Sequence, residues 1–402
     1  MGRSGDFYKH PATVEHPQGY LCFAPSPLPP EPALVLGDKL MRLLSAADQS
    51  LGRLSGATSI LPNPDLFVGM YVKQEAVLSS EIEGTQASLL DVLKFEAGDE
   101  GRTGGLSDVK EVVNYVDAMN HGLARLSALP LSLRLITEIH ERLLQGVRGN
   151  EKQPGRFRMR QNWIGPGGST IDTATFVPPA PETLPDLLGA FEKFLHDTRF
   201  PSLIQAGLAH AQFETIHPFE DGNGRIGRLL ITFLLCEQRV LERPLLYLSV
   251  YLKQHRAEYY DRLQAVRTDG AWEPWLEFFL RGVQQVADDA HRTAQKILAL
   301  REDMRSLLAT ARRSSALGRA IDILFKQPIV TVQTLAKALD VTDAGANNFA
   351  AELVKLKVLE EITGQKRNRR FAFSAYLDLF VTPTLPEPRL EAESPTAFTA
   401  IG

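Results

Sequence analysis

Cysteine is nearly absent from this chain of 402 residues: only Cys22 and Cys236 occur. They are far apart, and Cys236 sits in an apolar helical stretch, which excludes a disulfide framework and leaves two free thiols. A reducing, cytoplasmic setting is the expectation. No long hydrophobic run is present either. The longest, Leu229 to Cys236, falls far below the ~18 residues of a membrane span, and residues 1–16 carry no apolar leader core, so neither secretion nor membrane insertion is expected. A charge excess is missing as well. The formal net charge is −4, with 44% hydrophobic and 23% charged residues, so no overall field draws the chain to nucleic acid or lipid. Any polyanion must be held by a local arrangement.

The length is too great for one typical core and suggests two or three units. Before Pro32 the sequence reads as an extended arm rich in Pro, Gly and aromatics. Leucine spacing from Ala33 to Ser55 predicts an amphipathic helix, and a second is expected from Asp65 to Glu83, stopped by Gly84. The glycine-rich stretch from Ala97 to Ser107 reads as a mobile loop. Helices are expected at Asp108–Leu126, Ser132–Leu144, Leu184–His196, Pro201–Ile216, Arg225–Val240, Val250–Val266 and Trp272–His291. They give a mainly α body, interrupted by a small β-hairpin at Thr170 to Val177.

From Ala316 the pattern changes to a helix, a Thr331-capped helix, a turn at Asp340, a helix to Lys355 and a basic hairpin. That order predicts a winged-helix domain. The expected units are therefore 1–107, an arm and helical region; 108–290, a catalytic domain; 291–381, the winged helix; and 382–402, a tail whose Pro, Glu and Ala content predicts disorder.

The chemistry concentrates between two apolar helices, in His217-Pro218-Phe219-Glu220-Asp221-Gly222-Asn223-Gly224-Arg225-Ile226-Gly227-Arg228. Pro218 biases His217 away from the α region and so ends the first helix. Gly222 and Gly224 permit turns that gather backbone N–H groups into one concavity, and the next helix adds its own unpaired donors, which makes a phosphate-binding nest. Arg225 and Arg228 are read into the first turn of that helix, where the macrodipole disfavours cations by about 0.3–1 kcal/mol each unless an anion is present. Asp221 suits a Mg²⁺ that keeps most of its waters and bridges phosphate oxygens. His217, whose ordinary pKa lies near working pH, suits a general base for a hydroxyl.

Two other readings of the loop are weaker. Gly222, Gly224 and Gly227 spell G-x-G-x-x-G, but a dinucleotide fingerprint needs a preceding strand where the pattern here is helical. His210, His217 and Asp221 lack the spacing of a zinc site.

The twelve residues resemble the signature of the Fic family, H-x-F-x-[DE]-G-N-G-R-x-x-R, at every fixed position. Ser79-Ser80-Glu81-Ile82-Glu83-Gly84 resembles the family's inhibitory motif, and Pro154-Gly155-Arg156 with Phe176-Val177-Pro178-Pro179 resembles its flap region. The resemblance covers most of residues 20 to 290. It implies transfer of AMP from ATP to Ser, Thr or Tyr hydroxyls of target proteins. His217 would then be the base, Asp221 the Mg²⁺ ligand and Phe219 the core anchor of the loop. Within the ATP-binding stretch, which also includes Ile226 and Gly227, the residues Gly222, Asn223, Gly224 and Arg225 would cradle the α- and β-phosphates. Arg228 would clamp the γ-phosphate, and Tyr260 would flank the adenine. The resemblance also implies that Glu83 can orient a water to remove AMP, so de-AMPylation by the same site is the alternative activity.

Ser79 and Glu83, four apart, share a helical face. Glu83 meets the negative end of its own helix, so pairing with Arg228 would relieve both charges and deny the γ-phosphate its clamp; a bidentate contact and autoinhibition are expected. The segment Thr170, Ile171, Asp172, Thr173, Ala174, Thr175 and Phe176 is expected to dock a target as an added strand, while Phe176 and Ile171 fit equally well as side chains that pack the hairpin onto the body. In the tail, Lys366, Arg367, Arg369 and Arg370 form a basic wing, but the helix Asp343–Lys355 offers Asn347 and Asn348 against Asp343 and Glu352. Protein interaction or support of a homodimer is therefore favoured over DNA contact, and a DNA-binding regulator that senses ATP stands as a rival reading.

Overall fold

A computed structural model of the chain describes residues 3–59, 65–98, 105–310, 315–365 and 368–380. Most of the glycine-rich loop, Lys366, Arg367 and the tail beyond 380 lie outside the described residues. The chain opens with an antiparallel pair, β1 (Gly5–His10) and β2 (Tyr20–Pro25), where sequence predicted only an arm. In β2, Tyr20 and Cys22 on one face and Phe23 on the other are buried, and Phe23 N donates to Val177 O at 3.0 Å. Burial against a distant segment, which local periodicity does not encode, creates these strands.

Helices follow: α1 (Asp38–Ser59), α2 (Asp65–Ile82), α3 (Leu89–Glu96), α4 (Leu106–Arg125), α5 (Leu133–Leu144), α6 (Leu184–Leu195), α7 (Ser202–Ile216), α8 (Asn223–Glu237), α9 (Ser249–Gln254), α10 (Arg256–Asp269) and α11 (Trp272–Thr310). Ser132 caps α5 as expected, accepting from Leu135 N at 3.4 Å. Leu34 precedes α1 instead of lying within it, and the helix expected over Val250–Val266 is two, α9 and α10, meeting at His255. The body is organised around α7, whose residues from Leu203 to Ile216 are all buried, and around α8, which packs against it. A helix apolar on every side belongs at the centre of its domain. Around this pair stand α4 with α5, α6, α10 and α11, while α2 lies along α4 and α9. Among the described residues no helix is long and apolar enough to cross a membrane.

The segment expected to form a hairpin closes differently. Ile164 and Phe176 make one antiparallel bridge, with N–O distances of 2.8 and 3.0 Å. Thr170 to Thr173 is a tight turn, Thr173 N donating to Thr170 O at 3.1 Å and Thr170 N to Thr173 Oγ1 at 2.9 Å. Gly165, Gly167 and Gly168 stand where the opposing strand would have to run.

The C-terminal unit is a winged helix: α12 (Ser315–Lys326), β3 (Ile329–Thr331), α13 (Val332–Leu339), α14 (Asp343–Lys355), β4 (Glu360–Glu361), β5 (Arg370–Ala372) and a last turn, α15 (Ser374–Leu377), with sheet order β3-β5-β4. Thr331 caps α13, and Asp340 takes the left-handed turn after it at φ 55°. Helix α11 runs without a break through position 290, where a boundary is expected.

Candidate functional site

Helix α7 ends at Ile216, and His217 caps it in the left-handed region, φ 49° and ψ 59°. Pro218 denies His217 the α region as expected, but the residue turns left-handed instead of extended, a strained choice for a residue with a Cβ. Phe219 then plunges into the core, its ring stacked on His140 with centroids 3.7 Å apart and planes 6° from parallel. His140 fixes the loop in turn. Its Nε2 donates to Asp221 O at 3.0 Å while its Nδ1 accepts from Gly155 N at 2.9 Å. Burial lowers its pKa to about 4, leaving the ring neutral with the proton on Nε2.

Gly222, at φ 81°, caps α8. The amides of Asn223, Gly224 and Arg225 precede the first intrahelical bond, Ile226 N to Gly222 O, and make up the nest. The Asn223 side chain does not face that nest. It closes the loop, Oδ1 accepting from Phe219 N and Nδ2 donating to Phe219 O, both at 2.8 Å. Only its backbone can meet a phosphate. Gly224 is helical, so its value lies in lacking a Cβ. The Glu83 carboxylate sits directly over it, nearer to a Cβ position than any real contact allows. A carboxylate thus occupies the ground of an anion cradle.

That carboxylate belongs to the end of α2. Arg228 donates from Nη2 to Glu83 Oε1 at 2.7 Å and to Ser79 O at 2.9 Å, and from Nε to Ser79 Oγ at 2.8 Å. The contact with Glu83 is single, not bidentate, because Ser79 takes the other edge of the guanidinium. Arg228 falls in the second turn of α8, where the macrodipole has faded, and Arg225 alone lies in the first. Burial would raise the pKa of Glu83, yet the Arg228 charge more than offsets it and holds the carboxyl below its usual value. Glu75, two turns earlier on the same face of α2, accepts from Ser249 N at 3.1 Å and from Tyr115 OH at 3.3 Å.

Arg225, only 1% exposed, is tied to a residue that sequence reasoning missed: Nη1 donates to Glu111 Oε2 at 3.2 Å, and Nη2 lies 3.5 Å from Asp221 Oδ1. Its charge steers the nest from beneath. Asp221 receives Gly222 N on Oδ1 at 2.6 Å and remains partly exposed. Among the described residues no cluster of three metal-ligating side chains occurs. A lone accessible carboxylate beside free amides fits a Mg²⁺ that takes its other ligands from phosphate and water.

At the far side, Tyr260 is 40% exposed with the Arg256 guanidinium 5.7 Å above its ring. Its neighbour Tyr259 is buried and bonds His210 Nε2 at 2.8 Å. In the 170–176 segment Asp172, Thr173 and Thr175 are exposed, but Phe176 is not a docking side chain: it is buried against Phe23, with Arg267 over its ring. Ile171 and Ala174 pack onto Tyr20, Cys22 and Val177.

Sequence reasoning also missed Arg158 and Arg267, both buried. Arg158 donates from Nε to His217 O at 2.9 Å, and Arg267 from Nη2 to Glu214 O at 3.0 Å. Arg158 stands two residues after Arg156 of the Pro-Gly-Arg run, the one signal that pointed toward it. Burial, then these two charges, push the His217 imidazole down to about 3, so it is unprotonated near neutral pH.

Comparison with known proteins gives matches along most of the chain. Residues 41–124 match the Fic/DOC family N-terminal model, 130–235 the Fic/DOC family model, and 317–372 an HTH DNA binding domain. A protein adenylyltransferase Fic of Aedes aegypti is 36% identical over 220 residues, 53% of this chain and 39% of the relative. One of Culex quinquefasciatus is 30% identical over 253 residues, 59% and 44% of the two chains. The chain therefore spans less than half the length of these curated relatives. A solved Fic family protein from Desulfovibrio desulfuricans G20 shares the fold, with a TM-score of 0.54 at 19% identity over 85% of this chain and 97% of that one.

Proposed function

Because the chain carries a Fic/DOC N-terminal region, a Fic/DOC domain and a C-terminal HTH domain, we propose that it transfers AMP from ATP to hydroxyl side chains of target proteins and that Glu83 holds it in an inhibited state. The observation that carries the reading is the Glu83 carboxylate lying in the amide cradle of α8 and bound to Arg228.

The target hydroxyl gives its proton to the neutral His217 imidazole as its oxygen attacks the α-phosphorus. The bond from that phosphorus to the bridging oxygen breaks, and pyrophosphate leaves. The amides of Asn223, Gly224 and Arg225 receive the phosphate oxygens, Arg228 receives the γ-phosphate once Glu83 has left it, and Tyr260 borders the base. Asp221 is the residue that would hold Mg²⁺, which neutralises phosphate charge when bound. The exposed residues Asp172, Thr173 and Thr175, beside the Ile164–Phe176 bridge, offer a place for an extended target segment.

The test uses the Glu83→Gly form with a protein mixture and the chain itself as acceptors. α-Labelled ATP should label protein, γ-labelled ATP should not, and His217→Ala should abolish the signal while nucleotide binding persists. Retention of the γ label, or labelling that survives His217→Ala, refutes the proposal.

A further inference from the structure

The C-terminal end of α7 leaves backbone carbonyls without intrahelical partners, and two buried arginines take them. Arg158, 3% exposed, reaches His217 O from Nε at 2.9 Å, Ile216 O from Nη2 at 3.5 Å, and Pro179 O from Nη2 at 2.6 Å. Its own backbone N–H donates to Pro218 O at 2.9 Å. Arg267, 7% exposed on α10, reaches Glu214 O from Nη2 at 3.0 Å and Thr215 Oγ1 from Nε at 3.3 Å. Among the described residues neither stands in an ion pair with a carboxylate. A buried cation without a counter-ion is costly. Here the negative end of the helix dipole offsets part of that cost, and the more distant carboxylates of Glu214 toward Arg267 and Glu182 toward Arg158 act in the same direction.

Arg267 does one thing more. Its guanidinium lies 4.0 Å above the Phe176 ring. Phe176 is bridged to Ile164 and packs on Phe23 of β2. One contiguous chain of contacts thus runs from the bridge segment through Phe176 and Arg267 to the last turn of α7.

We infer that Arg158 and Arg267 are positioning residues for His217, and that Phe176 and Arg267 connect occupancy of the bridge segment to the setting of the base. The inference rests on the adenylyl-transfer reading. The two guanidiniums hold the left-handed cap that aims the imidazole. They are also the charges acting on the ring, one from the loop before the bridge and one from α10, with only the Glu214 backbone carbonyl of α7 working the other way. Asp221, from the loop itself, is engaged by Gly222 and Arg225. A base kept free of protons before the nucleotide arrives gains basicity only when the polyphosphate brings negative charge, so proton transfer is tied to ATP occupancy.

The experiment follows the imidazole of His217 by NMR in the full chain bearing Glu83→Gly, with histidine labelled at carbon and His217→Gln for assignment. Arg267→Met should raise the pH at which His217 titrates by roughly one unit, a tenfold change in proton affinity. Arg267→Lys keeps the charge but not the fork. It should leave the titration near the parent value while lowering kcat about tenfold, with KM for ATP unchanged. Phe176→Leu should lower kcat about threefold, again without touching KM for ATP. An unchanged titration in Arg267→Met, or an unchanged kcat in Arg267→Lys, overturns the inference. Should Arg267→Met fail to fold by its melting curve, Arg267→Lys and Phe176→Leu still decide. If no form transfers AMP, the functional reading fails, while the titration reports on the electrostatic part separately.

Discussion

The inhibition proposed for Glu83 has a scale that its contact with Arg228 sets and that a graded series can measure. The two groups meet at 2.7 Å, with the Arg228 side chain buried and that of Glu83 31% exposed. A hydrogen bond between charged groups in such a setting contributes about 1.5–3 kcal/mol, and partial exposure of Glu83 keeps the value within that range. At about 1.4 kcal/mol per tenfold, the competent population of the resting chain is on the order of 1–10%. Glu83→Gly removes the contact and should raise the initial rate of AMP incorporation about 10–100-fold. Glu83→Gln keeps the shape and one acceptor oxygen but loses the charge, roughly half of the interaction, so it should give about 3–10-fold. Ser79→Ala, which leaves Arg228 Nε without its 2.8 Å acceptor, should fall between wild type and Glu83→Gln. Incorporation from α-labelled ATP at saturating nucleotide is the assay. A Glu83→Gln form as slow as wild type, or a Glu83→Gly form no faster than Glu83→Gln, refutes the view that charge competition is the brake.

Two further outcomes concern stability. Glu214 is buried, its Oε1 has no hydrogen-bond partner, and burial raises its pKa from 4.5 to about 7. A raised pKa means that the folded chain binds this proton more tightly, so its stabilising effect is complete below pH 4.5 and is lost as pH rises through 7. Glu214→Gln should therefore cancel a loss of up to about 3 kcal/mol between pH 4.5 and 8, seen as a flatter urea-stability profile than wild type, and parallel profiles would contradict the assignment. Thr331→Ala removes the cap on α13, where Thr334 N donates to Oγ1 at 3.1 Å. It should cost about 1 kcal/mol, read as faster amide exchange in α13, with AMP incorporation by the Glu83→Gly form unaffected; slowed incorporation would show that the two units are not separable.

Legibility followed locality. The loop from His217 to Arg228 is contiguous, and residues such as Asp221 and Gly222 announce their geometry through short-range rules. The caps Ser132 and Thr331 and the turn at Asp340 obey equally local chemistry. The pair β1 and β2 was not legible, since its buried positions exist only because Val177 lies against Tyr20 and Cys22 and Phe176 against Phe23. Glu111, Arg158 and Arg267 were missed for the same reason. Arg158 lies in a loop and Arg267 on a polar helix, so neither their burial nor their partners show in the local pattern. Phe176 is the most instructive case: an aromatic in an alternating stretch beside a glycine cluster fits an exposed edge and a packed position equally well, and the Phe23 ring and Arg267 guanidinium against it decide for packing.

Helix α11 carries the chain from the helical body, where Trp275 Nε1 donates to Gly207 O at 2.8 Å, to the tail unit, where Arg301 pairs with Asp322 of α12 at 2.8 Å. Its 39 residues make a rod about 58 Å long at 1.5 Å per residue. The far unit is also held directly, by α12 packed on α2 and by the Phe380 ring 5.5 Å from Tyr71, so one residue added between Ala290 and Arg301, which turns the end of the rod by about 100°, would set the rod and that second contact against each other.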